Sequence, residues 1–251
     1  MRTALMHHNL PLEMTRQPDD FTCGPTCLQA IYRYYGDDLP LTSLIEDVPT
    51  FTDGGTLAVM LGCDALTRGY EATIYTFNLQ VFDPSWFGSS RVDLAERLMG
   101  QKAVRQNPKL ITACDAYIEF LNRGGSIRMQ DLNGTLIRKY LKRSIPILTG
   151  LSATYLYSES REIAETSTPD DLRGTPSGHF VVLSGFDGVE RTVQVSDPFL
   201  PNPLSQGHQY EVPLDRAICS ILLGIMTYDA NLLIIRPRDP QHHFFQGTEQ
   251  R

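Results

Sequence analysis

The chain has 251 residues, 41% of them hydrophobic and 20% charged, with a formal net charge of −7. This is the ordinary composition of a soluble globular protein with enough chain for a real core. No apolar run approaches the eighteen or so residues of a membrane span, and the basic face of a nucleic-acid binder is missing, so neither a membrane nor a nucleic acid is an expected partner.

Residues 1–16 are a lead-in in which Leu5, Leu10 and Leu12 suggest a short strand. They lack the long apolar core of a signal peptide. His7-His8 has no sequence partner and reads as surface. Next comes the stretch around which the chain is organised, Gln17-Pro-Asp-Asp-Phe-Thr-Cys23-Gly-Pro-Thr-Cys27-Leu. Leu28, Ile31 and Tyr35 follow at helical spacing, with Pro near the start and Gly36 at the end. This predicts a helix from about Pro25 to Tyr35. Cys23 then sits at the helix mouth, where the dipole favours thiolate, the nucleophilic form. Gln17 is placed to offer an amide donor to an oxyanion hole. An average cysteine is a small buried hydrophobe. The Gly-Pro context and the upstream Gln turn Cys23 toward a nucleophile, provided a histidine serves it.

The five cysteines, 23, 27, 63, 114 and 219, are irregularly spaced. That argues against a disulfide framework and for a reducing cytoplasm. Cys23 and Cys27 could share a helix face as metal ligands, but no second Cys or His pair completes a set. Neither a metal nor another cofactor is expected.

Leu41, Leu44, Ile45 and Val48 mark a short helix. Thr52-Asp53-Gly54-Gly55-Thr56 lacks the Gly-Lys-Ser/Thr ending of a phosphate loop. It reads as the entry to a helix through Leu57, Met60, Leu61, Ala65 and Leu66, ended by Gly69. Residues 70–77 are β-formers and predict a strand. Residues 78–131 differ in character and read as a helical insertion. A loop from Asp83 leads to helical patterns at 94–99 and 110–121, stopping at Gly124-Gly125. Leu136, Ile137, Tyr140 and Leu141 mark a basic amphipathic helix, and a short apolar strand starts at Ile145. Residues 153–177 hold a Tyr pair and a long polar loop that leads into a histidine, as a substrate-gating lid would.

Residues 178–198 have the pattern of a β-hairpin around Asp187-Gly188. A three-residue loop, Asp187-Gly188-Val189, would pair Phe186 with Glu190 and His179 with Asp197. Their Cβ atoms would then be about 4.5–5.5 Å apart. A two-residue loop would turn Asp197 to the other face, so an odd-length loop is expected. A carboxylate beside an imidazole fixes its tautomer and stabilises the imidazolium, which in turn holds a nearby thiol as thiolate. Farther on, Tyr210-Glu-Val predicts a short strand, Pro213 to about Leu223 a helix, and Asn231 to Pro237 a buried strand. Residues 241–251 read as a loose tail in which His242-His243 resembles a metal pair only superficially.

Taken together, Gln17, Cys23-Gly-Pro-Thr-Cys27-Leu, the Tyr34-Tyr35-Gly36 helix end, Gly178-His179-Phe-Val-Val-Leu-Ser-Gly-Phe-Asp187 and Ser196-Asp197-Pro198 resemble the papain-like cysteine peptidases of family thirty-nine. These are best known as the peptidase domains of bacteriocin exporters that cut after double-glycine leaders. The resemblance implies an α+β papain-like fold over 1–251 as one domain. In it the helix that carries the nucleophile packs on an antiparallel sheet, with helices on one side. It also implies Cys23 as nucleophile, His179 as general base, Asp197 as its orienter, Gln17 as the oxyanion-hole residue, and a peptide or protein as substrate. More sequence separates Cys23 from His179 than in the exporter domains, and 78–131 and 153–177 look like the additions. Without a transporter segment, the chain looks like a free-standing member, and the leader specificity is not carried over. The expected reaction is hydrolysis of a peptide or isopeptide amide through an acyl-enzyme. The same residues also suit an acyltransferase or deamidase, or a non-catalytic peptide-binding module.

Overall fold

The first helix, α1 (Cys23–Tyr34), forms because Leu28, Ile31 and Tyr32 return to one buried side. Pro25 sits within its first turn, where a missing N–H costs nothing. The helix starts two residues earlier than the spacing predicts. It ends at Gly36, whose φ of 96° suits a residue without a side chain. The N–H groups of Gly36 and Asp37 return to the carbonyls of Arg33 and Tyr32, which closes a Schellman motif.

The computed structural model describes residues 7–51, 54–88, 92–164 and 166–238. Leu5, Thr52, Asp53 and the 241–251 tail with His242-His243 lie outside them. Ahead of α1 runs β1 (His7–Asn9). After it come α2 (Leu41–Asp47), α3 (Ala58–Thr67), β2 (Glu71–Thr76), α4 (Leu94–Val104), α5 (Pro108–Asn122), β3 (Ser126–Arg128), α6 (Gly134–Leu141) and β4 (Ile147–Ser152). The chain continues through α7 (Ala153–Tyr157), β5 (Glu162–Ile163), β6 (Thr168–Pro169), β7 (Gly178–Asp187), β8 (Thr192–Ser196), β9 (Gln209–Pro213), α8 (Leu214–Leu223) and β10 (Asn231–Arg236).

Among the described residues one large sheet has the order β3-β2-β10-β4-β7-β8-β9, and β1 also pairs with β7. Every pairing is antiparallel except β2 with β3. Strand alternation sends Leu148, Val182, Leu233 and Ile235 into one core with residues of α1, α3 and α5. Ile147, Val181, Leu183, Leu232 and Ile234 go into a second core with residues of α6, α7 and α8. Helices therefore cover both faces, which corrects the expectation of helices on one side. The near-continuous apolar runs of β4, β7 and β10 are the physical cause, because each strand is buried front and back. Truncating one such residue, Leu233→Ala for example, would cost about 2–5 kcal/mol.

Three local differences from the sequence reading matter. The lead-in strand is His7–Asn9, so of the expected Leu5, Leu10 and Leu12 the last two fall just after it. The start of the expected 153–177 loop is α7, which forms because Ser152 Oγ accepts the N–H of Tyr155 while Leu156 and Tyr157 are buried. The rest of that segment carries the small β5–β6 hairpin. In 78–131 the two helices form as expected, and Leu98, Leu110, Tyr117 and Phe120 join the first core.

Candidate active site

Cys23 is the first residue of α1, and no side chain caps that helix start. Gly24 lets the turn lie against Thr56, Leu61 and Phe180. One turn on, the buried thiol of Cys27 donates to the carbonyl of Phe180 at 3.3 Å. Burial pushes this thiol up, and the charges of Cys23 and Asp197 add to the shift. Cys27 thus docks α1 on β7. Among the described residues no three His, Cys, Asp or Glu side chains gather as a metal site.

His179 is the second residue of β7 and is buried. Its Nε2 lies 2.8 Å from Asp197 Oδ1, and its ring also shares a side-chain hydrogen bond with Cys23, one that favours the protonated ring. Burial opposes protonation of the ring. The charge and hydrogen bond of Asp197, followed by those of Cys23, outweigh it and push the pKa up to about 10. Asp197 has no exposed surface. Its Oδ1 also accepts the N–H of Phe199 at 2.9 Å, and its Oδ2 accepts the hydroxyls of Tyr157 at 2.7 Å and Tyr210 at 2.6 Å. Burial would raise the Asp197 carboxyl, but the His179 charge and these hydrogen bonds hold it below its usual range.

His179 and Asp197 meet by a different route from the expected one. The ladder closes with Asp187 opposite Thr192, which leaves a four-residue loop, Gly188 to Arg191. An even loop alone would turn Asp197 away. The register shifts by one between Leu183 and Gly185, so Ser184 is an extra residue on β7. That bulge restores the parity. Val182 faces Ser196, so Asp197 comes next to Val181, on the His179 side and diagonal to it.

Gln17 is buried, and its backbone N–H donates to the carbonyl of Pro198 at 3.0 Å. This ties the segment before α1 to the segment after Asp197. Its side-chain Nε2 donates to the carbonyl of Asp19 at 2.8 Å. Gln17, Cys23 and His179 line one cavity of about 480 Å³ with Gly150 and Leu151 of β4. Glu159 and Glu162, beyond α7, line it as well. Burial and then the charges of Glu159 and Asp20 raise the Glu162 carboxyl, against a hydrogen bond from Ser177. Cys23 packs against the first core, whereas Tyr157 and Tyr210 belong to the second. The site bridges the two.

Three residues of this arrangement escape sequence reasoning. Tyr157 and Tyr210 are inward-facing tyrosines whose polar tips need partners once buried, and that need was the readable signal. Asp229 lines the same cavity, and both its oxygens accept the N–H of Ala58 at the start of α3, at 3.1 and 3.2 Å. Burial pushes its carboxyl up to about 7, against hydrogen bonds from Asn231 and Ala58. A second concavity, of about 590 Å³, lies beside Arg138, Lys142 and Arg191 and shares no lining residue with the first.

Residues 107–218 match the family model described as Peptidase_C39 like family. The matched stretch holds Tyr157, His179, Asp197 and Tyr210, while Gln17 and Cys23 lie upstream of it. No curated protein sequence matches the chain. A C39-like peptidase from Bacillus anthracis is 14% identical with a TM-score of 0.47, over 92% of this chain and 98% of that one. Xylellain, a cysteine protease from Xylella fastidiosa, is 13% identical with a TM-score of 0.45, over 95% and 90%. A double glycine motif protease from an AMS/PCAT transporter, in complex with the leader peptide, is 14% identical with a TM-score of 0.43, over 92% and 94%. The family matched is the one that the two end motifs resemble, and it supports a cysteine-type peptidase.

Proposed function

We propose that this chain hydrolyses a peptide or isopeptide amide with Cys23 as nucleophile, His179 as general base and acid, Asp197 as orienter and Gln17 as oxyanion donor, within one peptidase-like domain. One observation carries the reading. A single imidazole is bonded to Asp197 at 2.8 Å through Nε2 and also to Cys23, beside a cavity that Gln17 lines. The helical segment 78–131 is read as an addition to that domain and 158–177 as a lid over its cavity. Five free cysteines among the described residues favour a reducing, cytoplasmic setting. Among the same residues no helix is long and apolar enough to cross a membrane.

The Cys23 sulfur, as thiolate paired with the His179 imidazolium, attacks the amide carbonyl carbon. The C–S bond forms as the carbonyl π pair moves to oxygen. The Gln17 amide and the uncapped Cys23 N–H would stabilise that oxyanion. His179 gives its Nδ1 proton to the leaving nitrogen, and the C–N bond breaks to leave a thioester. Water then adds, His179 takes its proton, and the C–S bond breaks to release the acid. Asp197 stays ionised throughout and holds the ring.

The test is digestion of a proteome-derived peptide library, read by mass spectrometry, with wild type, Cys23→Ala and His179→Ala. New termini from wild type alone support the reading. Equal cleavage by either variant overturns it. Products that carry an added amine in place of water would mark a transferase instead.

A further inference from the structure

We infer that Tyr157 and Tyr210 are positioning residues that hold Asp197 by one oxygen so that the other stays aimed at His179. The inference rests on the peptidase reading above. Each carboxylate oxygen has two donors: His179 Nε2 and the Phe199 N–H on Oδ1, Tyr157 Oη and Tyr210 Oη on Oδ2. Turning the carboxylate about its Cβ–Cγ bond would break all four at once. Asp197 is sealed from solvent, so an Oδ2 stripped of both hydroxyls would stay unpaired in low dielectric, the expensive case. Burial keeps both phenols protonated, so towards Asp197 they act only as donors.

The two tyrosines arrive from different elements. Tyr210 stands in β9, opposite Val195 of β8. Tyr157 is the last residue of α7, with its ring 6.2 Å from that of His179 and 6.3 Å from that of Phe199. It also lines the cavity and directly precedes the 158–177 segment. Its helix is clamped by Arg216 of α8, which donates to the carbonyls of Leu156 at 2.9 Å and Tyr155 at 2.7 Å and to Ser158 Oγ. Direct contacts thus run from Arg216 through α7 to Tyr157, Asp197 and His179. A hydroxyl that stabilises the charged carboxylate lowers the pH at which Asp197 takes up a proton.

The experiment uses the full chain and iodoacetamide, and needs no substrate. Alkylation of Cys23 is followed from acid to alkaline pH by mass spectrometry of its peptide. Exposed Cys219 is the internal reference. Tyr157→Phe and Tyr210→Phe keep the rings and remove only the hydroxyls. Each is expected to move the acid limb of Cys23 alkylation up by about one pH unit, since a hydrogen bond to a charged group is worth roughly that. The Cys219 profile stays put, and Asp197→Asn gives the reference for complete loss of the carboxylate. An unmoved Cys23 profile in both tyrosine variants, beside a moved one in Asp197→Asn, overturns the positioning role and leaves the peptidase reading standing. An unmoved profile in Asp197→Asn as well removes the triad reading, and the positioning role falls with it.

Discussion

Gly24 and Thr56 meet where no side chain fits between them: a Cβ on Gly24 would stand 2.7 Å from Thr56 Cγ2. Gly24 follows Cys23 directly, so a methyl group there pushes the first turn of α1 off the approach to α3. Gly24→Ala is expected to destabilise by about 1–3 kcal/mol and, by shifting Cys23, to slow peptide cleavage about a hundredfold. Thr56→Ser removes Cγ2 but keeps the hydroxyl that donates to the carbonyl of Pro49 at 2.8 Å. The double variant is expected to regain much of both losses, read by urea denaturation and turnover. No regain would mean that this contact is not what requires glycine.

The bond between His179 and Asp197 links stability to pH from two sides. The imidazole has a folded pKa of about 10, above its unfolded value. Its contribution is full below about pH 6.5 and is lost as pH rises through the folded value. The Asp197 carboxyl is depressed on folding. Its contribution is full above about pH 3.9 and is lost as pH falls through its folded value. Asp197→Asn is therefore expected to cost most, about 3–5 kcal/mol, in the mildly acidic window between. The gap to wild type should narrow towards strong acid and strong alkali in denaturation series. A gap independent of pH would contradict the pairing.

Asp229 has the opposite sign. Its folded pKa, about 7, is raised above the unfolded carboxylate value. The stability it contributes is full below about pH 3.9 and is lost as pH rises through 7. Asp229→Asn keeps an acceptor for the Ala58 N–H without the buried charge. Its melting temperature relative to wild type is expected to climb from acid to neutral pH and then level off. A constant offset would show that the carboxylate carries no such burden.

Arg216 stands at the C-terminal end of α7, where a cation and the last carbonyls suit each other. Arg216→Ala is expected to cost about 1–2 kcal/mol and to slow Cys23 alkylation at mildly acidic pH. Arg216→Lys should recover little, because one ammonium cannot reproduce the guanidinium's spread of donors. Full recovery with lysine would reduce the role of Arg216 to charge alone.

What the sequence made legible was local chemistry. The Pro25 and Gly36 punctuation marked α1, runs of β-formers and apolar residues marked β2, β4, β7 and β10, and the family resemblance carried the α+β class. The neighbourhood of His179 and Asp197 was also readable, but its cause was not. No residue type marks the bulge, since Ser184 looks like any strand residue. The error of one in the loop and the extra residue in the strand cancelled. Helix α7 was hidden because five residues are too few to show a period and its cap, Ser152, belongs to the preceding strand. Tyr157 and Tyr210 meet Asp197 only through the closed sheet and the α7–α8 packing, which no short window contains. Helices on both faces could have been read from Asn231-Leu-Leu-Ile-Ile, an apolar run with no polar side to give to water.

The place of β10 bears on how the molecule is made. It leaves the ribosome after every other described strand, yet it lies between β2 and β4. Until Asn231 to Arg236 has emerged, the sheet is two separate ribbons with raw inner edges, each a template for pairing with a neighbouring nascent copy. Closure then waits on contacts between distant parts of the polypeptide, the slow kind to form. Stop codons that remove this one short strand should send the product to aggregates or chaperones instead of yielding a slightly smaller enzyme.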